Sequence, residues 1–222
     1  MITLAQALEL EQTPRGRQLC AKIQEVKIRI ATQLRKSQEL VSKNTSSLWW
    51  NISKHYVLEI TPEHLAICRA VSKLRYLVQR FMGSSDYRAI QDVVDRIAID
   101  LRGAIAEFAW AIVGLERAWE GAILTPSEIL RWKSEGRMDF PDLEVKSTEY
   151  DTGHLPLQGE LRYKINQNAP HVLAIVNPEH DRVKFVGWCF GLEFAEALAI
   201  SEQLGTPESM REVERLEALV LS

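Results

Sequence analysis

The chain has 222 residues, 46% of them hydrophobic and 26% charged, which is enough apolar material for one substantial domain or for a domain with a helical extension. No apolar run approaches the ~20 residues of a membrane span, and MITLAQALELEQ lacks the basic start of a signal peptide, so a cytoplasmic protein without membrane contact is expected. The net charge of -3 hides an asymmetry: residues 1–85 carry 13 Lys/Arg against 6 Asp/Glu, and the remainder carries 14 against 24. A basic arm on an acidic body suits nucleic-acid contact, and it equally suits a solvated helix face. Cys20, Cys68 and Cys189 lie far apart with no ligand spacing, which argues against a disulfide framework and a zinc site.

In chain order, Leu19, Ile23, Val26, Ile30 and Leu34 form one helical stripe, with Lys22, Lys27, Arg29, Arg35 and Lys36 on the other faces. The stripe is expected to pack on another helix or on a second subunit. SLWWNISKHYVLEI then places Trp49, Trp50 and Tyr56 among Lys54 and His55. Aromatics among cations can stack bases, but sealing a helix junction is the more frequent use and is expected here.

Thr61-Pro62-Glu63 opens a helix whose stripe of Leu65, Cys68, Val71, Leu74, Val78 and Phe81 ends at Gly83. A long helix follows from about Ser84–Asp86, with Ile90, Val93, Val94, Ile97, Leu101, Ile105, Phe108 and Ile112 carrying it to Gly114. Thr125-Pro126-Ser127-Glu128 is a capping box that opens a short helix stopping near Gly136. Everything up to that point reads as helix. Beyond it, LEVKST, HLPLQ, HVLAIV and RVKFVGWCF read as strands, and LEFAEALAISEQLG and residues 207–219 return to helix. The order implies an α+β fold with an N-terminal helical extension.

The chemistry concentrates in MDFPDLEVKST. In an extended strand Glu144 and Lys146 share a face with Asp142, while Leu143 and Val145 point the other way into the core. Asp139 lies upstream, beyond the Phe140-Pro141 bend. Carboxylates at this density attract a hard divalent cation, and a neighbouring ammonium can orient water and offset phosphate charge. Glu107 stands among Ile105, Phe108, Ala109 and Ile112 with Gly103 and Ala111 one turn away, so it needs a partner: a metal, or an arginine such as Arg102 or Arg117.

The aspartate followed by Glu-x-Lys at a strand start resembles the signature of the PD-(D/E)XK nuclease superfamily. LRGAIAEFAWAIVG resembles the helix that precedes the nuclease sheet and lends a further carboxylate. VKSTEYDTGHL and VGWCFG resemble small phage and bacterial members of that superfamily. The resemblance spans residues 95–195 or so. It implies a restriction-endonuclease-like core of helix, central mixed sheet and helix over residues 86–222, with a basic helical extension over residues 1–85 for oligomerisation or nucleic-acid contact.

The function it implies is a magnesium-dependent nuclease, with manganese as a substitute, cutting phosphodiester bonds, most readily in DNA. If the chain is phage-encoded, it acts in the host cytoplasm. Asp139, Glu144 and Lys146 become the catalytic residues, and Glu107, Asp139 and Glu144 the metal ligands. The Pro-Asp of the pattern is Pro141-Asp142, closer to Glu144 than in family members, so Asp142 is the reserve for Asp139. Thr148, Tyr150 and His154 could line a groove or serve only turns and surface, and Trp188 is simplest as core. The alternative is a nuclease-like protein without catalysis that acts in nucleic-acid binding or assembly. A homodimer through the N-terminal helices is compatible with either.

Overall fold

The computed structural model describes residues 2–42, 57–83, 93–113, 119–135, 138–140, 143–149 and 169–191. Among them are five α-helices and a mixed four-stranded sheet, an α+β arrangement. The chain divides into two compact units, one of residues 1–44 and 61–141, the other of residues 45–60 and 142–222. The boundary expected at residue 85 falls inside the first unit.

The first unit is helical. α1 (Leu4–Gln12) opens with a Thr3–Gln6 capping box and gives way at Thr13 to α2 (Pro14–Ser42), whose proline occupies the first turn, where no backbone N–H is required. Ile23, Val26, Ile30 and Leu34 are buried along α2 as the spacing predicts. α3 (Pro62–Phe81) is capped by Thr61, and its buried residues include Cys68, Val71, Leu74 and Val78. In its box the residue at the third helical position is His64, which fills a place usually held by Glu or Gln. Gly83 closes the turn after α3 at φ 63°, a left-handed conformation that suits glycine.

α4 (Val93–Val113) is buried on every side from Ala104 to Val113, which makes it the centre of the unit. α3 packs along it, and α2 contacts both. α5 (Pro126–Ser134) carries the expected Thr125–Glu128 box. Glu11 of α1 accepts from the Ser127 backbone N–H at 2.7 Å, and Lys27 of α2 donates to both Glu128 oxygens at 3.0 and 2.8 Å, so α5 is tied to α1 and α2.

The second unit is the sheet, in the order β1-β4-β3-β2. β2 (Glu144–Thr148) runs parallel to β3 (Pro170–Val176), which pairs antiparallel with β4 (Arg182–Phe190). Six of the seven β3 residues are buried, as an interior strand requires. The β3–β4 turn is held by Asn177, whose side-chain oxygen accepts from the backbone N–H groups of Asp181 and Arg182 at 3.1 and 2.8 Å.

β1 (Val57–Glu59) corrects the reading of everything before Gly136 as helix: it pairs antiparallel with Lys184, Val183 and Arg182. Three residues carry too little periodicity to announce a strand, and here the partner edge supplies the order. Trp49, Trp50, HLPLQ, the start of the long helix and both C-terminal helices lie outside the described residues.

Candidate functional site

β2 is two-faced, as its alternation predicts. Leu143 and Val145 are buried, and on the opposite face Lys146 Nζ donates to Glu144 Oε2 at 3.0 Å. The two side chains remain partly accessible, at 22% for Glu144 and 35% for Lys146. The parallel register sets Glu144 beside His171 of β3 and Lys146 beside Leu173. Thr148, on the same parity as Glu144 and Lys146, is buried, so access narrows toward that end of the strand.

His171 was not singled out by sequence. It is buried, and its Nδ1 donates to the Ala169 carbonyl at 2.9 Å, which places the proton of the neutral ring on Nδ1. Burial and the nearby Lys146 ammonium push its pKa down to about 4. The available signal was a lone polar residue at the head of the apolar run HVLAIV, too weak to act on without the register.

Glu107 and Asp139 belong to the helical unit, Glu144 and Lys146 to the sheet unit. Glu107, buried in α4, is gripped by Arg75 of α3: Nη1 donates to Oε1 at 3.0 Å and Nη2 to Oε2 at 2.6 Å. Trp119 Nε1 donates to Oε2 at 2.8 Å. Arg75 is held in turn by the carbonyls of Ala122 (from Nε, 2.8 Å) and Gly121 (from Nη2, 3.2 Å). Burial raises the pKa of the Glu107 carboxyl and the charge of Asp139 adds to that, against the guanidinium and the indole N–H. Burial also disfavours the Arg75 charge, and Glu107 more than offsets it, leaving the guanidinium more firmly charged than usual.

The partner of Glu107 is thus Arg75 rather than Arg102, Arg117 lies outside the described residues, and Arg75 and Trp119 are the residues that sequence did not mark. Asp139, half-buried after α5, packs its backbone near Gly121, where a Cβ would meet the Asp139 carbonyl oxygen at 3.2 Å.

Comparison with protein-family models, curated proteins and solved structures finds no significant match. The donor chemistry therefore has to decide which residues suit a divalent cation. Glu107 does not fit, because three N–H donors already engage its two oxygens and a metal would have to displace the guanidinium held there. Glu144 fits: its Oε1 accepts no hydrogen bond among the described residues, and magnesium bound mainly through water needs only one or two carboxylates. No group of three His, Cys, Asp or Glu side chains arranged to hold a metal occurs among the described residues. Asp142, Tyr150 and His154 lie outside them. Trp188 is half-buried and packs edge-on against Phe190 at 5.4 Å between centroids.

Proposed function

We propose that the chain is a metal-dependent nuclease of the PD-(D/E)XK type, hydrolysing phosphodiester bonds in DNA. The observation that carries this reading is the Glu144–Lys146 pair, accessible on one face of a strand whose other face is locked into the core. A strand anchored by Leu143 and Val145 fixes the spacing of the two charges, so they do not have to be ordered when substrate arrives.

Glu144 would hold magnesium through Oε1. Bound there, the cation would draw charge from the phosphoryl oxygens. Lys146 orients the attacking water and offsets the charge that builds on the phosphate. Hydrolysis forms a bond from water oxygen to phosphorus and breaks the phosphorus–oxygen bond to the departing strand end, which takes up a proton. The buried His171 keeps its proton on the side of Ala169 and carries no charge at neutral pH, so it adds no third charge beside the pair.

One observation favours a second reading, a nuclease-like protein that binds nucleic acid without cutting it: the helix carboxylate expected at the metal is committed to Arg75. Incubation of supercoiled and linear DNA with magnesium or manganese separates the two. Cleavage abolished by both Glu144→Gln and Lys146→Met, with circular dichroism unchanged, supports the nuclease. Wild-type protein that binds DNA and cuts no DNA or RNA substrate with either metal sinks it.

A further inference from the structure

α2 extends for 29 residues, about 43 Å of helix, and only one of its faces is buried. On one flank of the helix, about a quarter turn from the centre of the buried face, Arg15, Lys22, Arg29 and Lys36 are all exposed and recur every seven residues. Seven residues are close to two turns, so the four side chains stack in one row, with rungs about 10.5 Å apart and a total reach of about 31 Å. Arg17 and Arg35 are exposed as well, on another side of the helix. The acids of α2 are Glu25 and Glu39, so the exposed part of the helix carries six cations against two anions. Lys27, the remaining cation, points away from the row and is consumed by Glu128.

A like-charged row with this spacing has a narrow set of uses. It opposes self-association through that face, because a two-fold contact would bring eight cations together with only the two Glu25 carboxylates among them. It complements a rigid polyanion. A nucleic-acid duplex offers one negative charge per roughly 1.7 Å of axis and repeats every 34 Å or so, close to the reach of the row. A preformed helix meets a stiff duplex without having to order it, whereas a single strand would lose chain entropy on being straightened.

We infer that the Arg15–Lys22–Arg29–Lys36 ladder docks α2 on the phosphate backbone of a DNA duplex. This rests on the reading that the chain acts on nucleic acid, but it needs neither the metal nor Glu144. The contact is independent of sequence, since the ladder offers charge and no base-reading geometry. Its role is to hold substrate on the helical unit by charge alone, and Glu25 weakens it from within the same face.

The test is fluorescence anisotropy with a labelled 30-base-pair DNA duplex, in EDTA so that nothing is cut, across a series of salt concentrations. Four lost phosphate contacts should make log K against log salt shallower by about 3 to 4 in the R15Q/K22Q/R29Q/K36Q variant. Its affinity at low salt should fall by at least about 30-fold. Glutamine keeps helix propensity, and circular dichroism checks that α2 persists. Glu25→Gln should tighten binding.

Three results overturn the inference: a folded quadruple variant that binds within twofold of wild type, wild-type binding that ignores salt, or tighter ladder-dependent binding to a 30-nucleotide single strand or to phosphatidylserine vesicles. The nuclease reading fails separately, by duplex binding through the ladder without cleavage in magnesium or manganese.

Discussion

Arg75 holds Glu107 in a bidentate grip of 3.0 and 2.6 Å across two packed helices, with Trp119 donating a third bond to the same carboxylate. Both charges are largely withdrawn from water, with the Glu107 side chain 8% and the Arg75 side chain 21% exposed, so removing either partner strands the other. Glu107→Gln and Arg75→Met should each destabilise the protein by about 3 to 5 kcal/mol in urea unfolding. The double variant Arg75→Met/Glu107→Leu should lose clearly less than the sum of the two. Additive losses would show that the pair is not coupled.

The Glu144–Lys146 pair should behave in the opposite way. With 22% and 35% of its side chains exposed, it is worth less than about 1 kcal/mol to folding. Glu144→Gln and Lys146→Met should therefore leave the urea midpoint nearly unchanged while lowering cleavage by about 100-fold or more. A large stability loss in either variant would mark the pair as structural.

Two buried histidines contribute to the acid sensitivity. His171 has a folded pKa of about 4 against an ordinary value near 6.5, so the unfolded chain binds the extra proton first. Its contribution is complete above about pH 6.5 and is lost as pH falls toward 4, for a total of about 3 kcal/mol at most. NMR titration of the ring should give a midpoint near 4, and His171→Asn should flatten the pH dependence of the urea midpoint across that window.

Burial likewise lowers the pKa of His64, against the pull of Glu63. Its Nδ1 accepts the Thr61 N–H at 3.3 Å, leaving Nε2 to donate to Ser37 Oγ at 2.8 Å. A second ring proton would face the Thr61 N–H and break the α3 cap. This stability too is present at neutral pH and fades as pH drops below about 6.5. His64→Gln restores the usual capping-box residue and should reduce the acid loss, measured as the difference in urea midpoint between pH 7 and pH 5.

Gly16, in the first turn of α2, should not tolerate alanine. A Cβ there would collide with the Leu10 carbonyl oxygen and lie 2.8 Å from Glu11 Cα, both backbone atoms of α1 that cannot step aside. Alanine ordinarily gains about 1 kcal/mol over glycine within a helix. Here the overlap outweighs that gain, and Gly16→Ala should cost about 2 kcal/mol or more in thermal or urea unfolding.

What the sequence could announce by itself was local. The stripe of Ile23, Val26, Ile30 and Leu34, the caps at Thr61 and Thr125, and the alternation that buries Leu143 and Val145 while leaving Glu144 and Lys146 partly accessible all depend on residues within a few positions of one another. Helix pitch and strand pleat are enough to derive them. Tertiary structure decided the rest. Glu107 chose Arg75, 32 residues away, because α3 and α4 cross where the two side chains can meet, and any of several arginines would have satisfied the same chemistry on paper. Val57–Glu59 became a strand because β4 offered a free edge, and His171 came beside Glu144 because β2 and β3 pair in parallel. A buried charge or an unpaired strand edge shows in the sequence only as a need, and the packing of distant segments determines which partner fills it.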